Sequence, residues 1–171
     1  TNPSLMKKAG VTDYKKFAKE VLNNIKEKPV SFEIFSDELD EMYEQANEIA
    51  SWGKNVFVKI PITNSKGNFT GNVIKKLNSK KIKLNITAVY TVSQVNKILK
   101  NLNKNSKTII SIFSGRMADV GKDPLPIIKK SVYLTKRMKK VEILWASTRE
   151  AYNYLQARDC GCSIITMPPD I

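Results

Sequence analysis

An α/β fold built from repeated βα units is what this sequence predicts, and three observations carry the prediction. Short apolar runs alternate with amphipathic helical stretches along the chain, which is the pattern of a parallel sheet covered by helices. No linker or low-complexity segment interrupts that alternation, so residues 1–171 form one domain. Four successive apolar runs each hold a polar residue of one set, Glu33, Lys59, Asn85 and Ser111, and consecutive members of this set are 26 residues apart. Constant spacing across successive βα units places those side chains at similar heights in a closed barrel. An eight-stranded βα barrel normally runs to about 250 residues and not below about 200, so a barrel of 171 residues is short, as though cut at both ends. An open doubly wound sheet is the alternative architecture, but no glycine-rich phosphate loop follows an early strand.

The elements follow in order. Phe17, Val21, Leu22 and Ile25 mark a helix that Pro29 closes, and Val30 to Phe35 reads as a strand. From Asp37 to Trp52 the residues Leu39, Met42, Tyr43, Ala46, Ile49 and Ala50 share one helical face. Ser36 is expected to be the N-cap of this helix and Gly53 its C-terminal stop. Val56 to Pro61 is a strand buried on both faces, followed by a loop through Gly67 and Gly71 and a short helix with Val73, Ile74 and Leu77. Leu84 to Val89 is the next strand, and Val92, Val95, Ile98, Leu99 and Leu102 mark the helix after it. Thr108 to Phe113 leads into a loop from Ser114 to Pro124, then a helix with Ile127, Ile128 and Leu134. Val141 to Ala146, a helix around Tyr154 and Leu155, and the run Ser163 to Pro169 complete the series. That gives six strands, with Thr1-Asn2-Pro3 read as the end of a seventh. The chain opens on Thr1 without an initiator methionine, as a fragment or a processed product does.

Composition narrows the chemistry. A hydrophobic share of 42% in 171 residues fits one domain with a sizeable core. No apolar run approaches the roughly 18 residues of a membrane span, and no charged-then-apolar leader opens the chain. A cytoplasmic location is therefore expected. The 29 basic and 16 acidic residues leave a net charge of +13. The excess is mostly lysine, in pairs such as Lys75-Lys76, Lys80-Lys81, Lys129-Lys130 and Lys139-Lys140 spread over several predicted helices. With Asn and Ile also abundant, this reads as a solvated basic surface, and a nucleic-acid partner is not expected. Cys160 and Cys162 lie too close together for an ordinary disulfide and offer too few ligands for zinc. They are expected to be small buried residues of a reducing cytosol. Histidine is absent from the sequence, which excludes His-based triads and His-ligated metals. No metal or organic cofactor is implied.

Lys59 is the residue on which a function turns. Its neighbours in Val56-Phe57-Val58-Lys59-Ile60-Pro61 are apolar, and an ammonium is expensive to desolvate unless it is paired or used. The plainer reading is a strand-end lysine reaching water, helped by Pro61, which stops ladder pairing. The regular spacing favours use. Strand side chains alternate faces, so Asn85 shares its face with Thr87, and Ser111 with Phe113. A ring of Glu, Lys, Asn, Thr and Ser inside a barrel is costly unless its members bind one another and a ligand. Near the C-terminal strand ends of a βα barrel such residues read as catalytic. A lysine nucleophile condenses with a carbonyl to a Schiff base, and the protonated imine is an electron sink for breaking a carbon–carbon bond. Glu33, the one carboxylate of the ring, is placed as general base acting through a water. Gly115-Arg116 and Ser147-Thr148-Arg149 end two strands, and two arginines with a hydroxyl at one rim would clamp a phosphate.

These residues resemble a known family. Thr1-Asn2-Pro3-Ser4, the Glu33 strand, Val58-Lys59-Ile60-Pro61, Asn85-Ile86-Thr87, Ser111-Ile112-Phe113-Ser114-Gly115-Arg116 and Ala146-Ser147-Thr148-Arg149 resemble the transaldolase family, in particular its small subgroup that includes fructose-6-phosphate aldolase. The resemblance runs the whole chain in order. It implies a (βα)8 TIM barrel of the class I aldolase type, here covering strands two to eight, without the first strand and its catalytic aspartate or the last helix. It implies that Lys59 forms a Schiff base with a ketose phosphate, and that the dihydroxyacetone unit stays on Lys59 while an aldose phosphate leaves. The unit then passes to a second aldose phosphate. Glu33 and Thr87 would hold the catalytic water, Asn2, Asn85 and Ser111 the donor hydroxyls, and Arg116, Ser147 and Arg149 the phosphate. An acid at the Glu33 position and Phe at the Phe113 position go with transaldolases, where the aldolase branch tends to carry Gln and Tyr. Transfer is therefore expected over cleavage, with sugar phosphates as partners and, by resemblance, a homo-oligomer. The alternatives are a cleaving aldolase and, from a different class, a basic nucleic-acid-binding module or an inactive barrel remnant.

Overall fold

The computed structural model describes residues 3–103 and 106–171. Six strands, β1 (Val30–Glu33), β2 (Val56–Pro61), β3 (Leu84–Val89), β4 (Thr108–Ile112), β5 (Val141–Trp145) and β6 (Ile164–Ile165), form one sheet in chain order. Every neighbouring pair is parallel. The helices are α1 (Pro3–Lys8), α2 (Tyr14–Asn24), α3 (Leu39–Ser51), α4 (Gly71–Ser79), α5 (Val92–Asn101), α6 (Ser114–Ala118), α7 (Leu125–Thr135) and α8 (Tyr152–Asp159). The sheet curls into a half-barrel of six strands, compatible with part of the expected barrel.

Strand alternation divides the apolar side chains between two cores. Phe32, Val58, Ile60, Leu84, Ile86 and Ile110 pack against helix residues such as Leu22, Met42, Leu77 and Ile98 in the larger core. Each such side chain contributes roughly 1.5–3 kcal/mol by leaving water. On the other, concave face lies a small cluster of Phe57, Ile109, Leu144 and Ala146, with Phe113 and Ile164 against it. The same face carries Glu33, Lys59, Asn85 and Ser111, so polar groups interrupt what would otherwise be a second apolar layer.

The register bears out matched depth for three of the four residues. Glu33 lies opposite Lys59, and Lys59 opposite Asn85. Asn85, however, lies opposite Ile109, and Ser111 opposite Leu144, so Ser111 sits two residues further along its strand. Between Ile86 and Val89 the ladder of β3 and β4 slips by one residue. Ala88 there has φ +58°, a left-handed conformation. The extra residue resets the alternation, so that Ile86 and Val89, three apart, both reach the helix-side core.

Several local expectations are corrected. The Thr1-Asn2-Pro3 strand end falls partly outside the described residues, and Pro3 opens α1 instead. Glu38, not Ser36, is the N-cap of α3, because the Ser36 N–H and hydroxyl donate to Gln45 Oε1. Gly53 does follow the helix C-cap, Trp52. Part of the Ser114–Pro124 loop is the short helix α6. Tyr154 and Leu155 face solvent, and α8 packs through Asn153 and Ala157. The last apolar run pairs over two residues only. Lys80-Lys81 and Lys139-Lys140 lie in loops rather than on helices. Cys160 is buried and Cys162 half-buried, both as free thiols. No helix among the described residues is long and apolar enough to cross a membrane.

Candidate active site

Parallel strands deliver their C-terminal ends to one rim, and the concave polar residues lie towards it. Glu33 is the last residue of β1, and Lys59 the fourth residue of the six in β2. Because the two are directly paired in register, their side chains meet on the concave face. Lys59 Nζ donates to Glu33 Oε2 at 3.0 Å, with side chains only 15% and 17% exposed. Burying an ammonium here is tolerable because a carboxylate partner is supplied. The plainer reading, a lysine reaching bulk water past Pro61, does not describe this geometry.

A second polar row runs beside the ion pair. Ser111 Oγ donates to Asn85 Oδ1 at 2.7 Å, and Asn85 Nδ2 donates to Ser31 Oγ at 3.0 Å. Both ends of the Asn85 amide are therefore engaged, which fixes its orientation. Thr87, on the face of Asn85, is buried, and its Oγ1 has no hydrogen-bond partner among the described residues. An orphaned buried hydroxyl is uncommon and calls for a partner. Ser31 was not singled out in the sequence, although it stands two residues before Glu33 and so shares its face; that offset was the available signal. Asn2 lies outside the described residues.

At the rim, β4 ends in α6 and β5 in the turn before α8. Ser147 has φ +62°, and a Cβ at Gly115 would overlap the Ser147 carbonyl oxygen. Only glycine permits this approach, which draws the two loops together. The arginines differ in their commitments. Arg116 is exposed and stacks over the Phe113 ring, 5.1 Å from its centroid. Phe113 in turn meets Tyr90 edge-on at 5.6 Å. Arg149 makes a two-pronged pair with Asp119, Nε to Oδ1 at 2.9 Å and Nη2 to Oδ2 at 2.5 Å. The Arg149 guanidinium holds the Asp119 carboxyl below its usual value. So the structure brings Gly115 against Ser147, while Arg149 already has a carboxylate that an incoming anion would have to displace.

On the opposite flank the rim is pinned by Asp37, whose carboxylate accepts from the Ser65 N–H at 2.7 Å and from its hydroxyl at 2.6 Å. Tyr14 supports Glu33 from behind: its hydroxyl donates to the Glu33 carbonyl at 2.9 Å. Burial pushes the Tyr14 phenol well above its usual value. Its ring meets Phe32, Phe35 and Trp52 edge-on. Neither Tyr14 nor Asp119 was among the residues expected from sequence, since each acts through a contact far along the chain. No cluster of three or more His, Cys, Asp or Glu placed to hold a metal occurs among the described residues.

A family profile described as Transaldolase/Fructose-6-phosphate aldolase matches residues 1–171. The chain belongs to this family. Its members are aldolase-type enzymes. A "Probable transaldolase" of Dehalococcoides mccartyi is 34% identical over 169 residues, covering 98% of this chain and 74% of the relative. One from Thermoanaerobacter sp. (strain X514) is 36% identical over the same shares of the two chains. "Probable transaldolase 2" of Listeria monocytogenes is 35% identical, over 98% of this chain and 73% of its own length. Among solved structures, GMP reductase C318A from Trypanosoma brucei in complex with guanosine 5'-monophosphate superposes with a TM-score of 0.58. At 11% identity, over 81% of this chain and 30% of that one, the likeness concerns the fold alone.

Proposed function

We propose that this chain carries out transaldolase chemistry through a Schiff base on Lys59. The observation that carries the proposal is the inward-facing Lys59–Glu33 pair, 3.0 Å apart on the concave face of a transaldolase-family sheet. In the proposed reaction Lys59 gives up a proton, and its Nζ adds to the keto carbon of a ketose phosphate. Loss of water leaves a protonated imine. A general base takes the proton of the hydroxyl on the fourth carbon, and the bond between the third and fourth carbons breaks. The aldose phosphate leaves as its aldehyde, and the electron pair is stored on the three-carbon unit as an enamine. Addition to a second aldose phosphate and hydrolysis of the imine complete the transfer.

The neighbouring groups support roles in this sequence. Imine formation removes N–H donors from Lys59, which frees the Glu33 carboxylate to work through a water as general base. The Thr87 hydroxyl, without a partner among the described residues, suits the other side of that water. Asn85 and Ser111 are proposed to bind donor hydroxyls, with Ser31 holding the Asn85 amide in place. Asn2 keeps its proposed place among them by resemblance alone. Phe113 is proposed to bound the site on the transfer side of the transferase–aldolase choice. Arg116, Ser147 and Arg149 are proposed to take the phosphate, with Asp119 competing for Arg149.

The test is turnover. With fructose 6-phosphate, transfer predicts that an aldose phosphate is released only in step with consumption of an added acceptor aldose phosphate. Steady release without an acceptor would instead favour a cleaving aldolase. A Lys59→Arg variant should be inactive in both assays, and retained activity would remove the Schiff-base mechanism.

A further inference from the structure

Charge is sorted between the two ends of the sheet. With all neighbouring strands parallel, every helix-to-strand loop emerges at one end and every strand-to-helix loop at the other. The loop before β3 carries Lys80, Lys81 and Lys83, and the loop before β5 carries Lys136, Arg137, Lys139 and Lys140. The loops before β1, β2 and β4 add Lys26, Lys28, Lys54 and Lys107. Among the described residues of these loops, Glu27 is the single carboxylate. At the other end carboxylates outnumber the cations of the loops, and two of those cations are paired, Lys66 with Glu38 and Arg149 with Asp119. No such pair holds Lys54, Lys81, Lys107 or Lys139 among the described residues.

Compositional drift does not sort charge in this way. Helix dipoles favour cations at helix C-termini, but each supplies only about half a negative charge. That does not balance three cations in one loop and four in another. Adjacent strands lie about 4.8 Å apart, so the five loops form a row of cations roughly 20 Å long. Beside the loop before β5 is an open hollow of about 700 Å³ lined by the cations Lys129, Lys136 and Lys139 with Tyr133, against the two carboxylates Glu142 and Asp159. Tyr133 is 69% exposed, with Lys130 Nζ 5.2 Å from its ring centroid. In these loops Ile25 is the one exposed large hydrophobic side chain among the described residues, which leaves little to insert into a bilayer.

We propose that the helix-to-strand end of the sheet binds single-stranded nucleic acid through its phosphates, with Tyr133 stacking a base. This surface lies at the opposite end of the strands from the Lys59 rim and is independent of the reaction there. It binds without sequence preference, since lysines contact phosphates rather than base edges.

The experiment uses fluorescence anisotropy with labelled 20-nucleotide oligouridylate and oligodeoxythymidylate. Contact with about five phosphates predicts a log affinity against log salt slope of about −3.5. Joint replacement Lys54→Gln, Lys81→Gln, Lys107→Gln and Lys139→Gln should weaken binding at least tenfold. The same four positions changed to Arg should keep it. The control Lys7→Gln, Lys19→Gln, Lys66→Gln and Lys122→Gln removes equal charge and should change it less than twofold. Tyr133→Ala should weaken it roughly tenfold. Equal losses in both quadruple variants, a slope shallower than −1, or matching affinity for phosphatidylserine vesicles or polyglutamate would overturn the proposal. Matching affinity for a 20-base-pair duplex would overturn it as well.

Discussion

Removing both members of the Glu33–Lys59 pair should destabilise the fold by less than the sum of the two single removals. Coulomb's law at 3.0 Å with an effective dielectric near 20 gives a gross attraction of about 5 kcal/mol. Desolvation takes back most of it, because both side chains lie largely inside the sheet, 15% and 17% exposed. Lys59→Met alone leaves a carboxylate without its cation, and Glu33→Gln alone leaves an ammonium without its anion. Each should cost about 2–3 kcal/mol, below the roughly 3–5 kcal/mol of a fully buried pair, because some water reaches the site. In the double variant no charge is stranded, so its loss should be about 2 kcal/mol smaller than the sum of the single losses. Urea unfolding of the four proteins measures this coupling directly. Additivity within about 0.3 kcal/mol would mean that the two side chains do not meet, and the reasoning from register to site would fail.

Four further outcomes follow from other parts of the structure. Gly115→Ala pushes a methyl into the Ser147 carbonyl and should lower stability by about 2 kcal/mol or more; an unchanged melting temperature would mean that the two rim loops are not in contact. Ala88→Gly relieves a left-handed alanine at φ +58° and should stabilise by about 0.5–1 kcal/mol, whereas Ala88→Val should destabilise. Burial pushes the Cys162 thiol up to about 12 and raises that of Cys160. Cys162 should therefore react with iodoacetamide at pH 8 at less than a tenth of the rate of the urea-unfolded chain, and Cys160 more slowly than in that chain. Because these thiols are raised in the folded state, stability should be intact below about pH 9 and fall as the pH climbs towards about 12. Full-speed alkylation of the native protein would contradict this.

The parts of the fold legible in sequence were those set by local apolar pattern. β2 and β3 have the bounds the apolar runs predict, because both strands are buried on nearly every residue. α4 and α5 likewise follow the periodicity of Val73, Ile74 and Leu77 and of Val95 and Ile98. The shared position of the candidate site residues was legible where period and register coincide, at Glu33, Lys59 and Asn85. It was less so at Ser111, since the slip in β3 depends on a left-handed Ala88 that alanine seldom adopts and no propensity announces. α6 escaped notice because five mostly small or polar residues show no apolar stripe. The Arg149–Asp119 pair joins residues 30 apart, and two rim arginines looked equally free until the loops were placed. The gathering of lysines at one end needs the topology, since Lys80-Lys81 and Lys139-Lys140 look alike in sequence whether they sit on helices or between them.

The amine of Lys59 is where the account is most exposed to a direct test. Incubation with fructose 6-phosphate, reduction with borohydride and peptide mass spectrometry should place a ketose-derived or dihydroxyacetone-derived adduct on Lys59. The Lys59→Arg chain should acquire none. An unmodified Lys59, or label spread over surface lysines, would contradict the Schiff base at this residue.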